Sequence, residues 1–85
     1  MTDEYLTAFA AKAYGDAPPG FSPLTDDGDT LRLEVALKYQ ISVRWSLVWK
    51  KWVAETNEGV IRDDDRKRCS VRAAAAIGSA MVDKL

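Results

Sequence analysis

Leu31-Arg32-Leu33-Glu34-Val35-Ala36-Leu37-Lys38-Tyr39-Gln40-Ile41-Ser42-Val43-Arg44-Trp45 is the stretch whose reading decides the fold. Every odd position is apolar, and every even position is polar or small. Period 2 is the signature of a half-buried strand. Two facts oppose one strand of that length: strands average about 5–6 residues, and 31–38 is built mostly of good helix formers apart from Val35. β-branched and aromatic residues concentrate in the second half. The segment therefore divides into an expected helix over 26–38 and a strand over 39–45, with period 2 keeping a strand over 31–38 as the competing reading.

Outward from this stretch, Trp49 and Trp52 flank Lys50 and Lys51. Trp45, Val48, Trp49 and Trp52 fall at i, i+3, i+4, i+7, which also suits a helix. The preferred reading is a second strand within 49–54, antiparallel to the first, although no Gly, Pro, Asn or Asp marks a tight turn between them. Asn57-Glu58-Gly59 is a firm turn, and Val60 and Ile61 can add a short third strand. Upstream, residues 3–14 read as a helix. Thr2 or Asp3 caps it, and Tyr5, Leu6, Phe9, Ala10 and Ala13 sit at helical spacing. Gly15 stops it. Ala17-Pro18-Pro19-Gly20 is a stiff loop, which Phe21 and Leu24 pin to the core. Downstream, 63–82 reads as a helix opened by Asp63, Asp64 and Asp65 on the favourable end of its dipole. Asp63/Lys67 and Asp64/Arg68 are expected i,i+4 pairs. Cys69, Ala73, Ala76, Ile77 and Ala80 make the expected core stripe, and Ala73 to Ala76 admit a close neighbour. The expected fold is a small single α+β domain over 1–85, with helices on a short antiparallel sheet in the order α-α-β-β-α.

Eighty-five residues make one core. An apolar content of 47% with 29% charged residues describes an ordered globular chain. Histidine is absent, which removes His-based triads and most zinc sites. The single cysteine, Cys69, cannot form an internal disulfide, which fits a reducing, cytoplasmic setting. The acidic start Met1-Thr2-Asp3-Glu4 is unlike a signal peptide. The longest apolar run, 73–82, is too short to span a bilayer, so no membrane partner is expected. Charge is uneven: residues 1–30 hold six acids against one base, a net of −5, and residues 31–62 hold six bases against three acids, a net of +3. Those halves either attract one another within the fold or present two faces of opposite sign to partners.

Ser22-Pro23-Leu24-Thr25-Asp26-Asp27-Gly28-Asp29-Thr30-Leu31-Arg32-Leu33 and Arg66-Lys67-Arg68-Cys69-Ser70-Val71-Arg72-Ala73-Ala74-Ala75-Ala76-Ile77-Gly78 together resemble small phage and prophage proteins of the ABA-sandwich type. The resemblance covers roughly 20–38 and 62–80. It implies a proline-and-aspartate loop opening a helix, a short β-meander, and an Arg/Ala-rich helix closing the chain. The tryptophan-rich middle departs from that pattern. The resemblance implies a phage-borne accessory protein and brings no catalytic residue with it.

Several groups of residues could carry chemistry. Asp26, Asp27 and Asp29 could bind a hard cation, but the position that should supply the twelfth ligand of a calcium loop is Leu37, so helix capping accounts for them more simply. The helix start accounts for Asp63, Asp64 and Asp65 in the same way. Cys69 reads as a buried structural thiol. No glycine-rich phosphate loop and no serine with a base at recognisable spacing is present. Arg66, Lys67, Arg68 and Arg72 are offset by the aspartate run. Trp45, Trp49, Trp52, Arg44, Lys50 and Lys51 are the strongest binding candidates. Aromatics among bases can stack nucleobases or anchor a protein partner, and they can also simply fill a small core. At least one of the tryptophans should be partly exposed, because both faces of a short hairpin cannot point inward unless both are covered.

No enzyme and no cofactor is expected. The leading expectation is a non-enzymatic, phage-encoded inhibitor of a host nuclease or defence complex, anti-CRISPR-like and cytoplasmic in the infected cell. Its partner surface draws on Asp26, Asp27, Asp29, Arg44, Trp49, Lys50, Lys51 and Trp52, with the acidic third able to mimic nucleic acid. The rival is a small nucleic-acid-binding or regulatory protein using the Trp/Lys strand. A virion assembly protein is a third reading. The oligomeric state stays open.

Overall fold

The computed structural model describes residues 2–83. Across them the elements run α1 (Asp3–Tyr14), α2 (Asp27–Ala36), β1 (Ser42–Ser46), β2 (Lys51–Thr56), β3 (Gly59–Asp63) and α3 (Arg66–Asp83). The strands form an antiparallel meander in the order β1-β2-β3. The molecule is thus a small α+β domain, with one strand more than the expected α-α-β-β-α order. The third strand forms because Thr56 pairs with Gly59 across the Asn57-Glu58 turn. The Thr56 hydroxyl bonds the Gly59 carbonyl and accepts from the Glu58 N–H at 3.0 Å. Gly59, at φ 131°, occupies a conformation that side chains resist.

Over residues 31–36 the odd-position alternation resolves into a helix. Positions 31, 35 and 39 are four apart, and so are 33, 37 and 41, so strict period 2 contains two helical rows on opposite sides. Leu33 and Leu37 are buried at 0% and 2% exposure, whereas Leu31 and Val35 stand 61% and 56% exposed. The buried row continues into Ile41 through a turn in which the Ile41 N–H donates to the Leu37 carbonyl at 2.9 Å. α2 therefore ends at Ala36, not Lys38, and β1 begins at Ser42, not Tyr39. Tyr39, expected in the strand, is 92% exposed in that turn.

α1 matches its expected range. The Thr2 hydroxyl accepts from the Tyr5 N–H at 3.3 Å, and Gly15, at φ 86°, ends the helix with its N–H on the Ala11 carbonyl. In the loop that follows, Phe21 meets Tyr14 edge-to-face with centroids 5.4 Å apart. Phe21 and Leu24 pack against the core, and Pro23 is buried.

α3 is covered by α1, by α2 and by the sheet. Its buried set is therefore wider than one stripe: Cys69, Ser70, Val71, Ala73, Ala74 and Ala75 are all at or below 1% exposure. Ala76, Ile77 and Ala80, expected in the core stripe, are only half-buried. The helix starts at Arg66, because Asp63 completes β3 and the Asp65 carboxylate caps the new helix by accepting from the Lys67 N–H at 2.9 Å. This start overturns the expected i,i+4 pairs. Lys67 pairs with Asp27, Arg68 with Asp3 at 3.0 Å, and Asp64 with Lys51 at 2.7 Å. Asp63 holds Arg72 at 3.1 Å. Three of these four ion pairs tie two elements together, and the Lys51–Asp64 pair ties β2 to the β3–α3 loop. The Glu34 carboxylate does the same between α2 and α3, accepting from Ser70 Oγ at 2.7 Å and from Arg66 at 3.2 Å.

α1 and α3 meet backbone to backbone. A Cβ placed on Gly78 would lie 1.9 Å from the Phe9 carbonyl oxygen, so no side chain fits there without separating the helices. Gly78→Ala is therefore expected to destabilise the fold by about 3 kcal/mol, the upper part of the usual range for overpacking. That cost should outweigh alanine's better helix propensity, worth about 1 kcal/mol. Urea unfolding followed by circular dichroism measures the difference.

Candidate functional site

β1 and β2 are joined by Leu47-Val48-Trp49-Lys50, a turn without the usual turn residues. Its closure comes from Ser46 and Lys50. The Ser46 carbonyl accepts from the Lys50 N–H at 2.8 Å, and its hydroxyl accepts from the Trp49 N–H at 3.2 Å. Lys50 takes a left-handed conformation, φ 54°, the only positive φ at a non-glycine residue among those described. This arrangement lifts the turn's apolar side chains into solvent: Leu47 is 84% and Val48 86% exposed.

Register assigns the rest of the hairpin to two faces, because directly paired residues project to the same side. Val43, Ala54 and Ile61 form one row, and Trp45, Trp52 and Asp63 the next. This face packs on α3. Trp52 lies there, edge-to-face with Trp45 at 5.5 Å and with the Arg66 guanidinium 5.2 Å from its ring. Trp45, at the outer end of the row, stays 46% exposed.

The opposite face carries the row Arg44, Val53, Arg62. Val53 is nonetheless only 3% exposed, flanked by the long stems of both arginines. Trp49, 56% exposed, stacks on Arg62 with the guanidinium carbon 4.0 Å from the ring centroid. Arg44 pairs with Glu55 at 2.6 Å and Lys51 with Asp64 at 2.7 Å. Lys50 has no charged partner among the described residues.

The candidate partner residues from the sequence thus separate into two groups. Arg44, Trp49, Lys50 and Lys51 come together on the hairpin, whereas Trp52 belongs to its inner face. Asp26, Asp27 and Asp29 lie at the start of α2, and each has structural work there. Asp26 caps the helix by accepting from the Asp29 N–H at 3.1 Å, and Asp27 pairs with Lys67. Asp29 is 7% exposed, with one oxygen on the Ser22 N–H and the other on Arg32, both at 2.9 Å. A buried carboxylate so engaged offers little to a partner. Sequence reasoning missed Leu47, Val48 and Arg62. The available signal for the first two was an apolar pair sitting where a hairpin turn is normally polar. Nothing local points to Arg62, which reaches Trp49 only through the β2–β3 register.

Cys69 is fully buried beneath the sheet, with Sγ 3.5 Å from the Trp52 carbonyl and 3.7 Å from that of Ile61. Burial, followed by the negative charge of Asp63, pushes its thiol above the usual range. The group stays protonated and shielded, the opposite of an activated nucleophile. Among the described residues no group of three or more His, Cys, Asp or Glu is placed to hold a metal ion, and no helix is long and apolar enough to cross a membrane. Comparison with protein-family models, with curated proteins and with solved structures yields no match for this chain.

Two outcomes check this geometry. Lys50→Gly relieves the left-handed backbone, so the fold should gain up to about 1 kcal/mol in chemical denaturation; a loss would contradict the turn described. Cys69 should resist a thiol-specific chromogenic reagent until denaturant opens the domain. Its stability contribution should be full below the ordinary thiol pKa of 9.0 and be lost as pH rises beyond it, because the unfolded chain then releases the proton first.

Proposed function

We propose that this chain is a non-enzymatic binding protein that docks on a partner protein through the β1–β2 hairpin. The observation that carries the reading is the run of exposed apolar side chains, Trp45, Leu47, Val48 and Trp49, on a turn closed by its own hydrogen bonds. Large apolar groups held out in solvent on a rigid support cost a monomer solubility and gain their value in an interface. Tryptophan and arginine together are the usual anchors of such interfaces. The unpartnered Lys50 beside the tip favours a partner with an acidic group at the edge of an apolar depression. With the phage setting that the sequence resemblance implies, the partner is a host nuclease or defence complex, bound in the cytoplasm and inhibited in the anti-CRISPR manner. The engagement of Asp26, Asp27 and Asp29 within the fold supports the hairpin over the acidic segment as the docking surface.

A second reading has its own support: Trp49 stacked on Arg62, with Lys50 next to it in the chain, resembles a stacking platform for single-stranded nucleic acid. Against it, Arg44 and Lys51 already hold carboxylates and one face of Trp49 is taken by Arg62. That leaves little free charge to follow a phosphate backbone.

The two are separated by recovering partners of the tagged protein from a bacterial host lysate, with and without nuclease. A stoichiometric host protein should survive nuclease treatment. Its affinity should fall at least about 30-fold with Val48→Asp or Trp49→Ala, the scale of hot-spot losses. It should hold with Asp27→Lys, which changes the acidic segment at an exposed position. Loss only with Asp27→Lys would return the function to the acidic segment. Recovery of nucleic acid alone, with quenching of tryptophan fluorescence that weakens steeply with salt, would favour the second reading.

A further inference from the structure

α1 and the loop behind it flank a shallow, open apolar groove of about 600 Å³. Ala8 and Ala11 line one wall and Phe21 and Leu24 the other, with Asp3 and Glu4 at the rim. Asp3 is paired with Arg68, whereas Glu4 has no charged partner among the described residues. The chain therefore carries a projecting apolar tip with a free cation and, elsewhere, an apolar recess with a free anion. The recess is not filled by the chain's own hairpin, because α1 packs on α3 and α2 and not on the strands.

We propose that the groove receives the β1–β2 hairpin tip of a second copy of this chain. Leu47 and Val48 enter between α1 and the Phe21–Leu24 loop, and Lys50 meets Glu4 at the rim. The inference rests on the hairpin being a docking element, as argued above, and adds that this molecule contains a surface complementary to it. The contact is heterologous: each copy that donates a tip keeps an open groove, so copies add head to tail and do not stop at a pair. Self-association covers the same hairpin that the external partner needs, so the two compete.

The test is light scattering on the purified protein alone, across concentrations up to the millimolar range. The weight-average mass of the native chain should climb with concentration and fall back as salt is raised. Val48→Asp, which spoils the tip, and Ala8→Lys, which blocks the groove from an exposed position, should each stay at the mass of one chain, with helical circular dichroism unchanged. Mixed together, they should recover twice that mass and no more, because one sound groove and one sound tip remain. Glu4→Lys should weaken association, and Lys50→Glu in the same mixture should restore it. A native chain that remains monomeric throughout overturns the proposal. So does association that Val48→Asp or Ala8→Lys leaves intact, or a mixture of the two that stays monomeric while the native chain assembles. Ala8→Lys retains the hairpin, so its recovery of a host protein from lysate reports separately on the docking reading.

Discussion

At Gly78 the backbone of α3 lies against the Phe9 carbonyl of α1, and the absence of one methyl group there sets the distance between the helices. That distance lets a small chain bury α3 on several sides with mostly alanine, serine and cysteine facing its neighbours, Val71 being its one large fully buried side chain. Most of the other large side chains come from the surrounding segments: Leu6 from α1, Leu33 from α2, Leu37 from the turn after it, and Trp52 and Ile61 from the sheet. The interior is a slim central helix inside a thicker shell. The polar part of the architecture follows. Because α3 is central, its exposed cations reach out to Asp3, Asp27, Glu34 and Asp63, and the acidic N-terminal third is drawn onto the basic helix.

The helices that carry their own end signals were legible. Thr2 and Gly15 bracket α1, and the Asp26 side chain opens α2, so local chemistry alone places them. The alternation across residues 31–45 was harder, because a strict period of two is also a sum of two helical rows. Which row faces inward depends on where α3 lies, and that information is non-local. The end of α2 was read two residues too late and the start of β1 three too early, since the turn at 37–41 is made of ordinary helix and strand formers. The start of α3 was misplaced for a related reason. Three aspartates in a row look equivalent, yet register with Trp52 takes Asp63 into the sheet and leaves Asp65 as the cap.

The candidate site shows the same division. Trp49, Lys50 and Lys51 were visible as an aromatic and basic cluster, because composition reports what a stretch contains. Which tryptophan faces the core was not visible. It follows from a four-residue loop closed by a serine and a left-handed lysine, with none of the residues that usually announce a turn. The acidic segment divides: Asp29 is buried, holding the Ser22 backbone to Arg32, whereas Asp26 and Asp27 stay exposed as a helix cap and a cross-tie to Lys67. Charge counted along a chain and charge presented to solvent are different quantities when carboxylates serve as caps and cross-ties.

The Ser46 bonds that close the hairpin involve backbone atoms of the loop and not its side chains. Leu47 and Val48 therefore sit on a frame that does not consult them: exchanging either alters no packed contact and no cap. Stability places almost no constraint on their identity, in contrast to Gly78, where nearly every alternative is forbidden. Such a loop can change its side chains freely under selection by whatever it touches, while the scaffold beneath is held still. Related chains would then be expected to keep the helical framework and to diverge most at these two positions, so that variation concentrated there records a history of partners.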